Sequence, residues 1–388
     1  MRSPITLVLA ALAVGELAHA YPGMGSALND LANLEARQTS QPEMIGDLAT
    51  LDDSELSPTG RAVKDILLGN ALPEDLTSTY VLVPPKDSQA CAQDTCCIWK
   101  YIADEMRDAM IGSALRCNNV ARAAVRLGFH DAGAWSKSTG TGGGADGSIV
   151  LAGECESRSD NDGLEEICAQ MRIWYNKYHG YGVSMADLIQ MAANVGTVVC
   201  PLGPRVRSFV GRADNSAPAP TGLLPSPFDS VTDLLALFAD KTIDASGLVA
   251  LVGAHSTSQQ RFVDPSRAGD PQDRTPGVWD VQFYAETMNA NSPQRIFKFQ
   301  SDVLLSQDSR TRPTWLGFTG QLTGQIPWNI VSHLSSCCFW VVLILTSSSL
   351  GICEGLCPSE PARRLQHQRP HRVQQGLASH HCWDVPEP

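Results

Sequence analysis

The chain has 388 residues, enough for one large domain or two medium ones with a substantial core. Its formal charge of −12 argues against a nucleic-acid-binding surface as its main business. Charge and length alone leave the fold open.

Residues 1–20, "MRSPITLVLAALAVGELAHA", read as a secretory signal. Arg2 supplies the positive start, residues 5–14 the apolar run, and Ala18-His19-Ala20 the small-x-small cleavage site. The run is too short to span a bilayer. A cytosolic protein with an apolar start is the alternative, which the presence of all three signal parts disfavours. The expectation is a secreted, extracellular protein whose twelve cysteines are candidate disulfides. Residues 21–87 form an N-terminal extension rich in Ser, Pro, Asp and Thr, expected to be partly disordered. One short helix fits at "RAVKDILLG" (61–69).

The body runs over residues 88–320. Apolar residues fall at helical spacing in "CCIWKYIADEMRDAMIGSALRC" (96–117) and "GLEEICAQMRIWYNKYHG" (163–180). Ser184 and Asp187 open one helix as cap and first-turn acid, and Ser230 and Asp233 open another. "SGLVALVGAH" (246–255) reads as a buried helix. Strand-like alternation is scarce, and the connections are rich in Gly and Pro. An all-α body with long functional loops follows. After about Gly320 the composition breaks. Five of the nine histidines and five of the twelve cysteines fall after residue 330, and the text there is aperiodic. The apolar run 337–345 is too short to cross a bilayer, so no membrane anchor is expected. Residues 321–388 read as a divergent tail of different origin, a gene-model artefact such as a read-through intron followed by a shifted frame.

"RLGFHDAGAWS" (126–136) crowds a cation, an imidazole and a carboxylate together. If Asn118 or Asn119 caps a helix here, Arg126 and His130 are four apart and share a face. Phe129 walls the same pocket, and Asp131 points about 100° away. A neutral histidine beside a guanidinium suits a substrate that loses a proton and develops negative charge. Taken alone, the stretch reads first as a solvated surface cluster. Downstream, "GADGS" offers the Gly144 carbonyl and the side chains of Asp146 and Ser148. Alone it is a turn; joined by Asp131 it is an all-oxygen set for a hard cation, Ca2+ above all.

"LVALVGAHSTS" places His255 after an apolar helix, where a lone histidine is ordinarily a satisfied core residue. Ser256 follows it, and "DRTPGVWD" adds Asp273, Thr275, the Val278 carbonyl and Asp280, a second oxygen-rich set. Asp302 is placed to accept a hydrogen bond from His255, which strengthens an imidazole as a ligand. Haem iron suits one such histidine with a carboxylate behind it.

Together these stretches resemble the secreted fungal haem peroxidases, class II of the plant/fungal/bacterial superfamily. The Arg-x-x-Phe-His-Asp motif is Arg126 to Asp131, and "GGADGS", "LVALVGAHS", the Asp-x-Thr-Pro-Gly-x-x-Asp run and "VGRADNSAPAPTGLLPSPF" (210–228) stand in family order. The resemblance covers about residues 88–320. It implies two helical halves enclosing one haem b, with His255 as axial ligand partnered by Asp302, and two Ca2+ ions. It implies that His130 and Arg126 act on H2O2, that Asn161 orients His130, and that Glu154 or Glu156 completes that chain. It also implies bridges Cys117–Cys200, Cys91–Cys97 and Cys155–Cys168. Cys96 should reach a cysteine nearer the C-terminus, and the tail alone offers candidates, so its partner stays open.

Departures from the family narrow the expectation. Manganese-oxidising members carry carboxylates where this chain has Asn119, Ala123 and Arg261, so no Mn2+ site is expected there. Lignin-oxidising members carry an exposed Trp where this chain has Ala250. The implied protein is a monomeric generic peroxidase whose partners are H2O2 and small aromatic reductants. A Mn- or lignin-active enzyme is the first alternative. A secreted haem- or calcium-binding protein impaired by its C-terminus is the second.

Overall fold

In the computed structural model of the protein, residues 52–56, 58–75, 78–139 and 143–332 are described, with the backbone of a strand at 351–353. The expected signal at 1–20, much of the extension and most of the tail lie outside the described residues. Everything described falls in one compact unit, Met1–Pro358.

Ten helices of seven residues or more lie wholly within the described residues, besides the helical stretch 325–332. They are α1 (Pro58–Leu67), α2 (Thr95–Met110), α3 (Asn119–Gly133), α4 (Glu165–Tyr178), α5 (Met185–Val199), α6 (Val231–Asp240), α7 (Ala245–Val252), α8 (Gln282–Met288), α9 (Gln300–Gln307) and α10 (Arg312–Phe318). The helix expected near 61–69 is α1. The only sheet among the described residues is a two-stranded antiparallel ribbon, β1 (Ser208–Val210) against β2 (Gly351–Cys353), with Ser208 opposite Cys353.

Side chains start these helices where sequence indicates. Asn118 is the cap of α3, its Oδ1 accepting from the amides of Val120 and Ala121. Ser184 caps α5 and Ser230 caps α6 through the amides three residues on. Asp187 is the first-turn acid of α5, as expected, and has a further part. It is buried, pairs with Arg212 at 2.9 Å, and accepts from the Gly211 and Arg212 amides. A buried carboxylate needs such compensation, and the pair ties the 210–228 loop to the start of α5.

α5 is buried on nearly every face, which explains why it is apolar all round rather than striped. Its tightest neighbour is α3. A Cβ on Gly128 would come within 2.6 Å of the Ala193 Cβ, and one on Gly196 within 2.7 Å of the Ala121 carbonyl oxygen. Small residues at this crossing let the backbones touch, which fixes the pose of α3 and of the side chains at its C-terminal end.

Disulfides join Cys91 to Cys97, Cys117 to Cys200 and Cys155 to Cys168. The second clamps the start of α3 to the end of α5 across 83 residues. A loop of that length is stabilised by about 4–5 kcal/mol in the chain-entropy description. Cys96, whose pairing the sequence left open, is also disulfide-bonded.

Residues 321–332 belong to the packed body as well. Residues 325–332 are helical, and Trp328 is fully buried, stacked on Trp279 at 5.1 Å between centroids.

Candidate functional site

α3 delivers three side chains from its last turns. His130 Nδ1 lies 2.9 Å from Asn161 Oδ1, and Asn161 Nδ2 donates to the Glu154 carbonyl at 3.1 Å. Because that amide nitrogen is engaged, Asn161 Oδ1 is the acceptor and His130 carries its proton on Nδ1. Nε2 then carries the ring's lone pair and accepts from Arg126 Nε at 3.2 Å. Arg126 is held by the carbonyls of Asp162 (2.8 Å) and Asp160 (3.4 Å). Burial, with the Arg126 charge second, pushes the His130 imidazolium down to about 3. His130 is therefore a neutral acceptor at any ordinary pH. Phe129 meets His130 edge-on at 5.9 Å and stacks on Phe238 of α6 at 6.4 Å.

The chain beyond Asn161 was open between Glu154 and Glu156. Glu154 fills the step through its backbone carbonyl, while its buried carboxylate pairs with Arg158 at 2.6 Å and accepts from the Ala219 amide. Glu156 faces outward and pairs with Arg172. No spacing rule distinguishes the two, because the contact is made by a carbonyl that every residue owns.

His255 sits in the turn Gly253–Thr257 that follows α7. Its Nδ1 is 3.0 Å from Asp302 Oδ2 on α9, so Nδ1 donates to the carboxylate and Nε2 is left as a ligand atom. Phe283 and Phe299 present edges to the ring at 5.6 and 5.3 Å. Beneath it, Tyr284 donates to the Val249 carbonyl and Trp328 to the Ala250 carbonyl, both at 2.8 Å. A Cβ on Gly253 would lie 2.3 Å from both Tyr284 Oη and Trp328 Nε1. Gly253→Ala is thus expected to destabilise the fold by at least about 1–3 kcal/mol as an overpacked site. A thermal melt checks this; an unchanged Tm overturns it.

The two oxygen sets differ in how completely contacts link them. Asp131 is buried; its Oδ2 accepts from the Gly147 amide at 3.2 Å and its Oδ1 has no partner. Asp146 accepts from the amides of Ser148 and, through Oδ2, from Asn215, whose role the sequence did not suggest. The Gly144 carbonyl accepts from the Asp146 amide. Burial, then the charge of Asp146, holds the Asp131 carboxyl well above its usual range. In the second set, Thr275 Oγ1 donates to Asp280 Oδ2 at 2.9 Å, the Thr275 amide to Asp273 Oδ1 at 2.7 Å, and the Val278 amide to the Thr275 carbonyl. Asp273 Oδ2 and Ser256 Oγ are buried without partners. Burial, then Asp280, pushes Asp273 up to about 8. Among the described residues no group of three His, Cys, Asp or Glu side chains is arranged for a metal. Each set has two carboxylates and relies otherwise on hydroxyl and carbonyl oxygen, the donor type of a hard cation.

At the positions where carboxylates would bind manganese, Asn119 accepts from Arg122, and Arg261 is exposed. Ala250 is fully buried.

A family model described as peroxidase matches residues 103–321. The chain is 32% identical over 253 residues to a peroxidase of Arthromyces ramosus, spanning 60% of this chain and 68% of that protein. It is 34% identical over 256 residues to manganese peroxidase 3 of Phlebia radiata (60% and 70%). It is 31% identical over 287 residues to a ligninase of Phanerodontia chrysosporium (67% and 76%).

Proposed function

This chain belongs to the peroxidase family, as a fungal class II haem peroxidase, and from that premise we propose how its own residues perform the reaction and on which donors. The enzyme consumes H2O2 and oxidises organic donors with a haem cofactor. The observation that carries the finer reading is the pair of histidines, each with its Nδ1 proton fixed by a named acceptor.

The residues fit a haem. His255 offers an imidazole Nε2, flanked by phenylalanine edges and backed by a buried carboxylate whose second oxygen, Asp302 Oδ1, has no partner. A single haem b is the reading this supports, held through His255. Haem, when bound, supplies the iron redox chemistry by which peroxide is reduced and two donor electrons are returned singly. His130 Nε2 accepts a proton from one peroxide oxygen and delivers it to the other, so that the leaving oxygen departs as water. Arg126 stabilises the negative charge that develops on that oxygen as the O–O bond breaks, before the proton arrives. Asn161 keeps the His130 Nδ1 proton in place, which leaves Nε2 able to accept. Phe129 closes the pocket wall.

The partnerless buried oxygens Asp131 Oδ1, Asp273 Oδ2 and Ser256 Oγ fit two hard cations. We assign Ca2+ to both: Asp131, Gly144, Asp146 and Ser148 hold one, and Ser256, Asp273, Thr275, Val278 and Asp280 the other. Each ion would adjoin a reactive histidine in sequence and pin the end of its helix.

Small phenols are the donors, without a manganese route. Steady-state turnover tests this: a simple phenol is oxidised and Mn2+ is not. Mn2+ oxidation at rates comparable to phenol overturns the donor reading. The signal-like residues 1–20 and the disulfides support secretion, and we read the protein as a monomer. No helix among the described residues is long and apolar enough to cross a membrane.

A further inference from the structure

Lys241 closes α6, is fully buried, and has no part in the proton transfer described above. A buried ammonium is costly unless its donors and its charge are both met. Its Nζ donates to the Gly133 and Trp135 carbonyls, each at 2.7 Å. Gly133 is the last residue of α3, three beyond His130. Both acceptors therefore lie where the carbonyls of α3 run out of amide partners and its dipole is negative. Asp240 is the charged side chain that acts on Lys241, and its own carboxylate accepts from Ser138 Oγ. The Lys241 donors thus go to a helix end rather than to a carboxylate.

Two further observations belong to the same spot. Phe238, three residues before Lys241, stacks on Phe129 at 6.4 Å between centroids. The end of α6 therefore grips α3 at residues on either side of His130. Thr242, next in the chain, has φ +63° and is buried with its Oγ1 unpartnered. A β-branched residue adopts that left-handed conformation at a cost, and such strain persists only where the surroundings enforce it. A buried charge, a ring stack and a strained residue thus converge on the last turn of α3, which carries Phe129 and His130.

We propose that Lys241 is a positioning residue of the peroxide reaction: its ammonium fixes the end of α3 and with it the aim of His130 Nε2. For the reaction this rests on the peroxidase reading above; the contact at α3 does not. Burial pushes the ammonium from the ordinary 10.5 down to about 8. Folding therefore favours the neutral amine, and the contribution of Lys241 to folding stability rises with pH between those two values. Activity should move the other way, because a neutral amine holds carbonyls less strongly than an ammonium does.

The test is made on the holoenzyme in saturating Ca2+. Wild-type kcat/KM for H2O2 should fall severalfold as the pH is raised, with its midpoint at about 8. Lys241→Arg keeps a charge at every pH and should lose that limb. Lys241→Met should lower kcat/KM about tenfold at neutral pH, as a misaimed group does, and flatten the same limb. The Tm of wild type relative to Lys241→Met should meanwhile grow across the limb, opposite to activity; with a merely structural lysine, activity follows Tm. A further readout needs no turnover: amide hydrogen exchange at residues 129–135 should speed up about tenfold in Lys241→Met, with α5 unchanged. Faster exchange there in a protein that turns over no peroxide supports the contact and leaves the functional reading to fail alone. Faster exchange with kcat/KM within about twofold of wild type makes Lys241 structural and overturns the proposal. Unchanged exchange overturns it whatever the activity, and a wild-type profile flat through pH 8 does so without any variant.

Discussion

His130→Leu is expected to lower kcat/KM for H2O2 by about 10²–10⁴-fold, the usual contribution of a positioned proton-transfer group. The reason is the arrangement around Nε2. Asn161 accepts from Nδ1 at 2.9 Å, so Nε2 holds the ring's one lone pair, and Arg126 Nε donates to it at 3.2 Å until peroxide takes that place. Leu fills similar space and carries no lone pair, so peroxide keeps its proton and the leaving oxygen must depart charged. Haem uptake should persist, because His255 and its Asp302 partner are on other elements. A Soret band of normal intensity with slow peroxide reactivity is the expected pair of observations. Asn161→Val should give a smaller loss, since the imidazole stays but its tautomer is no longer held. Loss of less than about tenfold in His130→Leu, equivalent to about 1.4 kcal/mol, would falsify the role given to Nε2.

Chelating calcium is expected to lower Tm and abolish turnover together. Asp131 and Asp273 are buried with one oxygen each unpartnered, and each has a second carboxylate acting on it, Asp146 and Asp280 respectively. Without a cation these pairs are buried like charges. A site held at a hundred times its dissociation constant stabilises the native state by about 2.7 kcal/mol, so two contribute about 5 kcal/mol. For a domain of this size that corresponds to a drop in Tm of about 10–20 °C on removal. Activity falls because Asp131 follows His130 and Ser256 follows His255: loosening either oxygen set frees a helix end that carries a reactive nitrogen. Readdition of Ca2+ should restore both. Asp131→Asn should lower calcium affinity and leave the second set occupied, giving a partial drop in Tm. Tm and turnover that survive chelation unchanged sink the two-calcium assignment.

Much of the site was legible before any coordinates, because its chemistry is written in short motifs. Arg126 and His130 are four apart, so any helix puts them on one face. His255 with Ser256 and the Asp273–Asp280 run declare their donor types directly. The helix starts were legible too, since Ser184, Ser230 and Asn118 satisfy amides two or three residues away. Less legible was anything made by backbone atoms or by burial. Glu154 acts through its carbonyl, which leaves no mark in the side-chain code. Lys241 gave no signal as a helix-end cation, yet its buried Nζ donates at 2.7 Å to the carbonyls of both Gly133 and Trp135, holding the end of α3. Burial pushes its pKa down to about 8.

By itself, then, the amino-acid order determined the helical class and the caps, and named the candidate proton-transfer and ligand groups and the oxygen character of both candidate cation sets. These depend on periodicity and on functional groups within a few residues of one another. Tertiary structure alone decided that Asp187 is a buried partner of Arg212, that Cys96 finds a disulfide, that Glu154 rather than Glu156 supports Asn161, and that Phe262 lies across from Gly163 beside Arg126. Each of these joins residues that local geometry leaves independent, and only the close crossing of α3 on α5 and the packing of the loops around it brings them within contact distance.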